Sequence, residues 1–374
     1  MSLLLLLAVV GGSIWLLWQQ HQERMAAEAR REAEQARRRA MIKREVEDDL
    51  RKVDEMRTQA RWADAQATVE KADALLRDDG PEELRDRVRK LREELDQVRR
   101  DQELLQRLED ARLRGADGKD RGVAEQYRQA FRDWGLDPEE LPSEEVSKRI
   151  RTSAIGPALT DALDDWARVS RKGAAERLRA VASLTDSDPW RRQVRKALAD
   201  KDREAIQRLA EDAGAAQQTP SGIILLADAL HNVGMDEQRL AVLREGQRRH
   251  PGDFWLAHEV AQACSAVEPP QLEEATRFYV ASLTLRPQSA AVHVSLGNTM
   301  LARQRFAEAI ASFREAIRLK PDDADAHYGL AVALHKQGKL DEAIAEYRET
   351  LRLDPKRKEA LENLDRLLKS EKPR

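Results

Sequence analysis

Apolar and polar positions alternate at helical spacing along almost the whole chain, which predicts an all-α protein. The pattern is clearest at the C-terminal end. Pro287, Pro321 and Pro355 fall at a fixed interval of 34 residues, and each closes a segment that reads as two amphipathic helices. The same residue types recur inside that interval. Leu296 and Gly297 of one unit correspond to Leu330 and Ala331 of the next, and Ala309 and Phe313 correspond to Ala343 and Tyr347. The small residues are placed where paired helices cross, since a larger side chain would hold the backbones apart. Phe313 and Tyr347 are placed between one hairpin and the next.

This period and these residues resemble the tetratricopeptide repeat, a helix–turn–helix module that stacks into an α-solenoid. The resemblance implies an array of about four units over residues 219–355. Its first unit is degenerate, with Arg239 and Leu243 in place of the small and aromatic residues, and its second is lengthened near Glu268-Pro269-Pro270. A capping helix and tail, residues 356–374, follow, with Leu361, Leu364, Leu367 and Leu368 expected to shield the last unit. Stacked repeats form a concave groove. The helical faces put Trp255, His258 and Gln262 into it, then Val294, Asn298 and Leu301, then Asp325, Tyr328, Val332 and His335. These are the candidate residues for gripping a protein or peptide, with Trp255 and Tyr328 as aromatic anchors. The packing alternative is that both aromatics cover neighbouring helices inside the array. A carboxylate clamp of the Lys/Asn kind is not expected, because Val294 stands where its Lys would be.

Upstream, residues 47–78 read as a degenerate helical hairpin with Ala63, Ala67 and Ala72 along its second helix. Leu84, Val88, Leu91, Leu95, Val98 and Leu105 then form a heptad seam. It either builds a coiled-coil homodimer through residues 84–108 or packs on the preceding hairpin. Gly115 to Gly122 breaks the pattern. Beyond it Tyr127, Phe131 and Trp134 stand at helical spacing as a core stripe, and short helices continue to about residue 212.

Ser2 to Trp18 carries no charge over 17 residues, near the lower limit for a membrane-spanning helix. No basic start or small-residue cleavage site marks it as a secretory signal, so a retained anchor is expected. An apolar run at Met1 also raises the expectation that this is the tail of a longer protein. Arg24, Arg30, Arg31 and Arg37 to Arg39 follow the anchor, but with one flank only the orientation stays open. A single pass in a bacterial inner membrane is the expected location. The 65 basic and 68 acidic residues nearly cancel, which gives no electrostatic case for nucleic acid. Charged residues make up 36 % and aromatic ones 4 %, as suits elongated, solvated helices.

Three runs resemble the C-terminal region of large bacterial receptor-like serine/threonine kinases. They are AFRDWGLDPEELPSEEVSKRIRTSAIGPALTDALDDWA (Ala130 to Ala167), DSDPWRRQVRKALADKDREAIQRLA (Asp186 to Ala210) and HPGDFWLAHEV (His250 to Val260). In that family a kinase domain is followed by a transmembrane helix, a helical stalk and tetratricopeptide repeats. The kinase motifs themselves are missing from this sequence: Asp253-Phe254-Trp255 lacks the glycine of a metal-binding turn and opens a repeat helix. His258-Glu259 begins like a zinc helix, but Gln262 stands where the second histidine would fall. Cys264 is the single cysteine, and Asp164-Asp165 has no second carboxylate to share acid–base work. No catalytic residue, cofactor or metal is expected.

The expected organisation is therefore an anchor at 1–20, a charged helical stalk at 21–114, a short-helix domain at 120–215, and the array with its cap. The function this implies is a membrane-anchored scaffold that recruits a protein or peptide. The alternative is the sensory or docking half of a receptor-like kinase whose catalytic domain is not in this chain.

Overall fold

A computed structural model describes residues 2–77, 80–115, 122–212 and 214–370, with the side chains of 2–17, 20, 216 and 370 outside the description. The described residues are helical with no strand, and the chain separates into two compact units, residues 1–103 and 104–374.

The first unit is built from α1 (Ser2–Thr58), α2 (Trp62–Leu76) and the larger part of α3 (Glu82–Gly115). Its core joins Val46, Leu50 and Val53 of α1 to Ala65, Val69, Ala72 and Leu76 of α2. Leu84, Val88, Leu91 and Leu95 of α3 complete it. The expected seam is thus covered within the chain by the preceding hairpin, and this core occupies the surface that a dimeric coiled coil would need. Two registers differ from expectation. Ala63 and Ala67 are exposed, and the buried line of α2 runs through Ala65 and Ala72 instead. In α3 the buried side passes from Leu95 to Asp101, Leu104 and Leu108, leaving Val98 and Leu105 half-buried. The later turns bury a different face of the helix, because Leu104 and Leu108 pack in the core of the second unit.

All of the expected anchor except Trp18 and Gln19 lies outside the residues whose side chains are described. Among the described residues no helix is long and apolar enough to cross a membrane.

In the second unit, α4 (Val123–Asp133), α5 (Ser143–Thr152), α6 (Gly156–Val169) and α7 (Lys172–Thr185) surround Trp166. Phe131 stacks on its ring at 5.5 Å and Tyr127 at 6.3 Å, while Trp134 is half-buried. Hairpins follow in order: α8 (Pro189–Asp200) with α9 (Arg203–Glu211), then α10 (Pro220–Asn232) with α11 (Asp236–Arg249). After these come α12 (Phe254–Ala266) with α13 (Leu272–Leu285), α14 (Ala290–Ala302) with α15 (Phe306–Leu319), and α16 (Ala324–Gln337) with α17 (Leu340–Leu353). The chain ends on α18 (Lys358–Ser370).

The first helix of each later hairpin starts on a side-chain cap. Thr219 accepts from the Gly222 amide, Asp253 from Leu256, Ser289 from Val292, and Asp323 from Asp325 and Ala326. Each cap satisfies backbone donors that the first helical turn leaves unpaired.

Phe313, fully buried, shows how the stacking works. Its ring lies against Gly297 on the first helix of its own hairpin and Gly329 on the first helix of the next. A Cβ atom built on Gly297 would come within 2.7 Å of that ring, and one on Gly329 within 2.3 Å. Glycine is required at both points by this close approach. The degenerate unit places its small residue later, at Gly246, where a Cβ would meet Ile223 at 2.9 Å. On α18, Ala360 and Leu367 are buried against the array and Leu364 is partly so. Leu361 and Leu368 face outward, 59 % and 38 % exposed, so two of the four expected capping leucines do not shield the last unit. The helix presents only one side to its neighbour, and these two lie on the other.

Candidate functional site

First helices pack against first helices along the array, α10 against α12 and α14 against α16. That closer spacing makes them the inner wall of a curved stack. The ten candidate residues all lie on these helices, and the structure divides them into an open set and a closed set.

Gln262, Val294, Asn298 and Asp325 come together around one open hollow of about 280 Å³, with Ser265 and Tyr279 completing its wall. Asn298 is exposed and Gln262 half-buried, whereas Val294 contributes a buried floor. Leu301, Tyr328, Val332 and His335 continue the line, each half-buried. Leu301, Tyr328 and Val332 pack partly against the array core. Burial, with Lys336 and Arg366 nearby, holds the His335 imidazole below its ordinary value. Tyr328 has one face covered: the Arg357 guanidinium lies 4.1 Å from its ring centre. Asn363 donates to its hydroxyl at 3.3 Å, and Arg357 also pairs with Asp325 at 2.6 Å.

Trp255 and His258 are closed. Trp255 is 7 % exposed and His258 1 %. The last turns of α3, which belong to the second unit, lie over Trp255. Arg112 sits 4.0 Å from the centre of the Trp255 ring, and Arg286 stacks on Phe254 at 4.3 Å. Glu109 pairs with Arg286, and Leu113 packs against the array core. His258 is enclosed by the rings of Phe254, Trp255 and Tyr279. Neither of its ring nitrogens has a hydrogen-bond partner. Burial, opposed by the neighbouring Glu259 charge, pushes its imidazole down to about 4.

The wall behind these residues is an ion network. Arg168 of α6 reaches Glu259 at 2.9 Å and Asp228 at 3.3 Å, and Arg239 reaches Glu259 at 3.1 Å. Burial alone would raise the Glu259 carboxyl, but Arg168 and Arg239 outweigh it and hold the group down. Asp165 pairs with Arg112 at 3.1 Å and Arg168 at 3.0 Å. Asp164 pairs with Arg195 at 2.7 Å. The Asp164-Asp165 carboxylates are thus engaged by arginines, although burial still pushes the Asp165 carboxyl up. Cys264 is buried, and burial pushes its thiol up to about 11, which leaves it a poor nucleophile at neutral pH. Among the described residues no cluster of His, Cys, Asp and Glu is arranged to hold a metal ion.

Reading the sequence alone missed the three arginines, Arg112, Arg286 and Arg357, that cover the aromatic candidates. Arg112 comes from a helix far upstream, and no local pattern marks it.

Residues 294–358 match the family model described as the tetratricopeptide repeat. No curated protein matches the chain. Among solved structures, the chain is similar to a MamA 41-end structure from Desulfovibrio magneticus RS-1, at 20 % identity and a TM-score of 0.37, covering 41 % of this chain and 83 % of that one. It is similar to a MamA crystal structure at 15 % identity and a TM-score of 0.40, covering 46 % and 92 %. A thermophilic tetratricopeptide repeat protein of Thermus thermophilus, TTC0263, matches at 22 % identity and a TM-score of 0.35, covering 48 % and 97 %. With the 34-residue period, the glycine–aromatic packing and the family match in agreement, residues 294–358 of this chain are tetratricopeptide repeats.

Proposed function

We propose that the protein is a membrane-anchored scaffold whose array holds a protein or peptide partner along its first helices. One observation carries the reading: Gln262, Val294, Asn298 and Asp325, from three successive first helices, line a single open hollow. The line continues through Leu301, Val332 and His335. An extended or helical peptide laid there meets amide groups for orientation and half-buried apolar groups for affinity. The mechanism is recruitment, with residues 2–18 fixing the chain at the membrane and the array presenting the partner.

The test is a random peptide display selected on the purified chain, followed by titration of the best binder. Asn298→Ala and Val332→Asp are expected to weaken it by about tenfold or more, and exposed Arg314→Ala to leave it unchanged. A binder indifferent to both groove variants contradicts the site. For the anchor, the intact chain should stay with membranes through a carbonate wash and a chain lacking residues 2–18 should not. Equal behaviour of the two removes the anchor from the account.

A further inference from the structure

The last turns of α3 have two faces. Leu104, Leu108 and Ala111 are buried in the core around Trp166, and they hold the helix firmly to α4–α7. Glu109, Arg112 and Leu113, spaced i, i+3 and i+4, face the array. Their contacts there are an ion pair with Arg286, a guanidinium over Trp255, and one aliphatic side chain on the array core. This is how a helix docks into a groove, with one stripe of residues as anchors.

The array side is also the less complete of the two. Leu113 sits at the edge of an open hollow walled by Arg286, Pro287, Gln288 and Ser289, with room beside it. Beneath the Trp255 ring, His258 is buried with both ring nitrogens unpaired.

We propose that the array-facing side of Leu104–Gly115 is an internal occupant of the upstream groove. Its outside partner is a helix of the same pattern, a carboxylate followed three and four residues on by an arginine and an aliphatic residue, which binds by taking its place. The proposal rests on the reading of the array as a peptide-binding groove and names the partner of its upstream half. Each contact of α3 has an equivalent on such a helix: a carboxylate for Arg286, a guanidinium for the Trp255 ring, and an apolar side chain for the hollow beside Leu113. The Glu109–Arg286 pair is partly exposed and is the contact that exchanges most readily, whereas Arg112 also pairs with Asp165 at 3.1 Å and is released only if that pair gives way.

The experiment uses the full chain in detergent and a fluorescein-labelled peptide of residues 104–115 as probe. The triple variant Glu109→Ala/Arg112→Ala/Leu113→Ala is expected to bind the peptide about tenfold tighter than the unaltered chain. Adding Trp255→Ala should abolish that gain. Equal affinity of the triple variant and the unaltered chain, or a gain that survives Trp255→Ala, overturns the proposal. A second arm does not depend on the triple variant folding. In a Cys264→Ala background, Leu113→Cys and Gln288→Cys should be joined within one chain by a short bismaleimide linker, and the joined protein should refuse the peptide. Failure to join overturns the internal occupant while leaving the downstream groove intact. Joining without any display-selected peptide binding to the downstream residues instead defeats the groove reading itself.

Discussion

Between α14 and α17, neighbouring hairpins are held by one aromatic side chain pressed into the space two glycines leave. Between α6 and α12, arginines and carboxylates share the task with apolar residues such as Ile223, Leu243 and Leu256. Phe313 is fully buried against Gly297 and Gly329, and Tyr347, also fully buried, packs beside Tyr328 with ring centres 6.0 Å apart. Upstream, Arg195 is 1 % exposed and pairs with Asp164 at 2.7 Å and Asp186 at 2.8 Å, and Arg168 bridges α6 to α10 and α12. Packing by size is local and repeats with the period, so it leaves the inner face of each hairpin free to vary. Packing by paired charge needs a specific partner on a specific helix. It fixes a single arrangement, and it encloses the groove residues nearest to it. The open downstream groove and the closed upstream groove follow from these two modes of assembly.

Truncating the aromatic should give the largest effect. Phe313→Ala is expected to cost about 3–5 kcal/mol, because the two glycines cannot collapse into the space; urea unfolding of the array measures it. Arg195→Met should also cost about 3–5 kcal/mol by leaving Asp164 and Asp186 short of a counter-charge. The two modes separate at the next step. Arg191 belongs to the same set, pairing with Asp186 at 2.9 Å, so adding Asp164→Leu, Asp186→Leu and Arg191→Met to Arg195→Met should recover most of the loss, since a buried ion set replaced as a whole by apolar residues is often neutral. If the fourfold replacement remains as unstable as the single one, the charges contribute more than mutual compensation.

Gly329→Ala should cost about 1–3 kcal/mol by overpacking against the Phe313 ring, and Phe313→Leu in the same chain should relieve part of it. Additive losses would mean that the ring is not the obstacle.

The smallest effect concerns the enclosed histidine. The unfolded imidazole takes up its proton near pH 6.5 and the buried His258 only near 4. The unfolded state therefore binds more protons between these values. This group's contribution to stability falls as pH drops from about 6.5 to 4, by at most about 3 kcal/mol. Burial pushes the Asp228 carboxyl up and gives the opposite slope, so the quantity to read is the difference between unaltered chain and variant. His258→Leu should gain about 1 kcal/mol at neutral pH and show less loss on acidification. An unchanged difference across that range would mean that His258 is not enclosed.

Much of the array was legible because its contacts recur. Gly297, Phe313, Ala331 and Tyr347 lie one period or half a period apart, and the inward faces of α14 and α16 follow from that register. Gly329 escaped notice because its reason is a ring on the preceding hairpin. The heptad reading of α3 went astray at Leu105, because from Leu104 onward the helix buries a different face in the core of the second unit. Trp255 and His258 both lie on α12, but the cover on Trp255 comes from Arg112 of α3. Such contacts between segments far apart in the chain have no period, and charged residues are abundant enough that no single pair stands out. The outward turn of Leu361 and Leu368 was hidden for a similar reason: four leucines on one helix do not say which two meet the neighbour.

Thiol labelling tests the division of the groove most directly. In a Cys264→Ala background, single cysteines at Asn298, Val332 and His258 would be reacted with a small maleimide at neutral pH. Asn298→Cys should react at a rate close to that of an unfolded control, the half-buried Val332→Cys a few-fold slower, and His258→Cys slower than Asn298→Cys by about tenfold or more. Rapid labelling at position 258, or labelling at 298 and 332 as slow as at 258, would contradict an array that is closed upstream and open downstream.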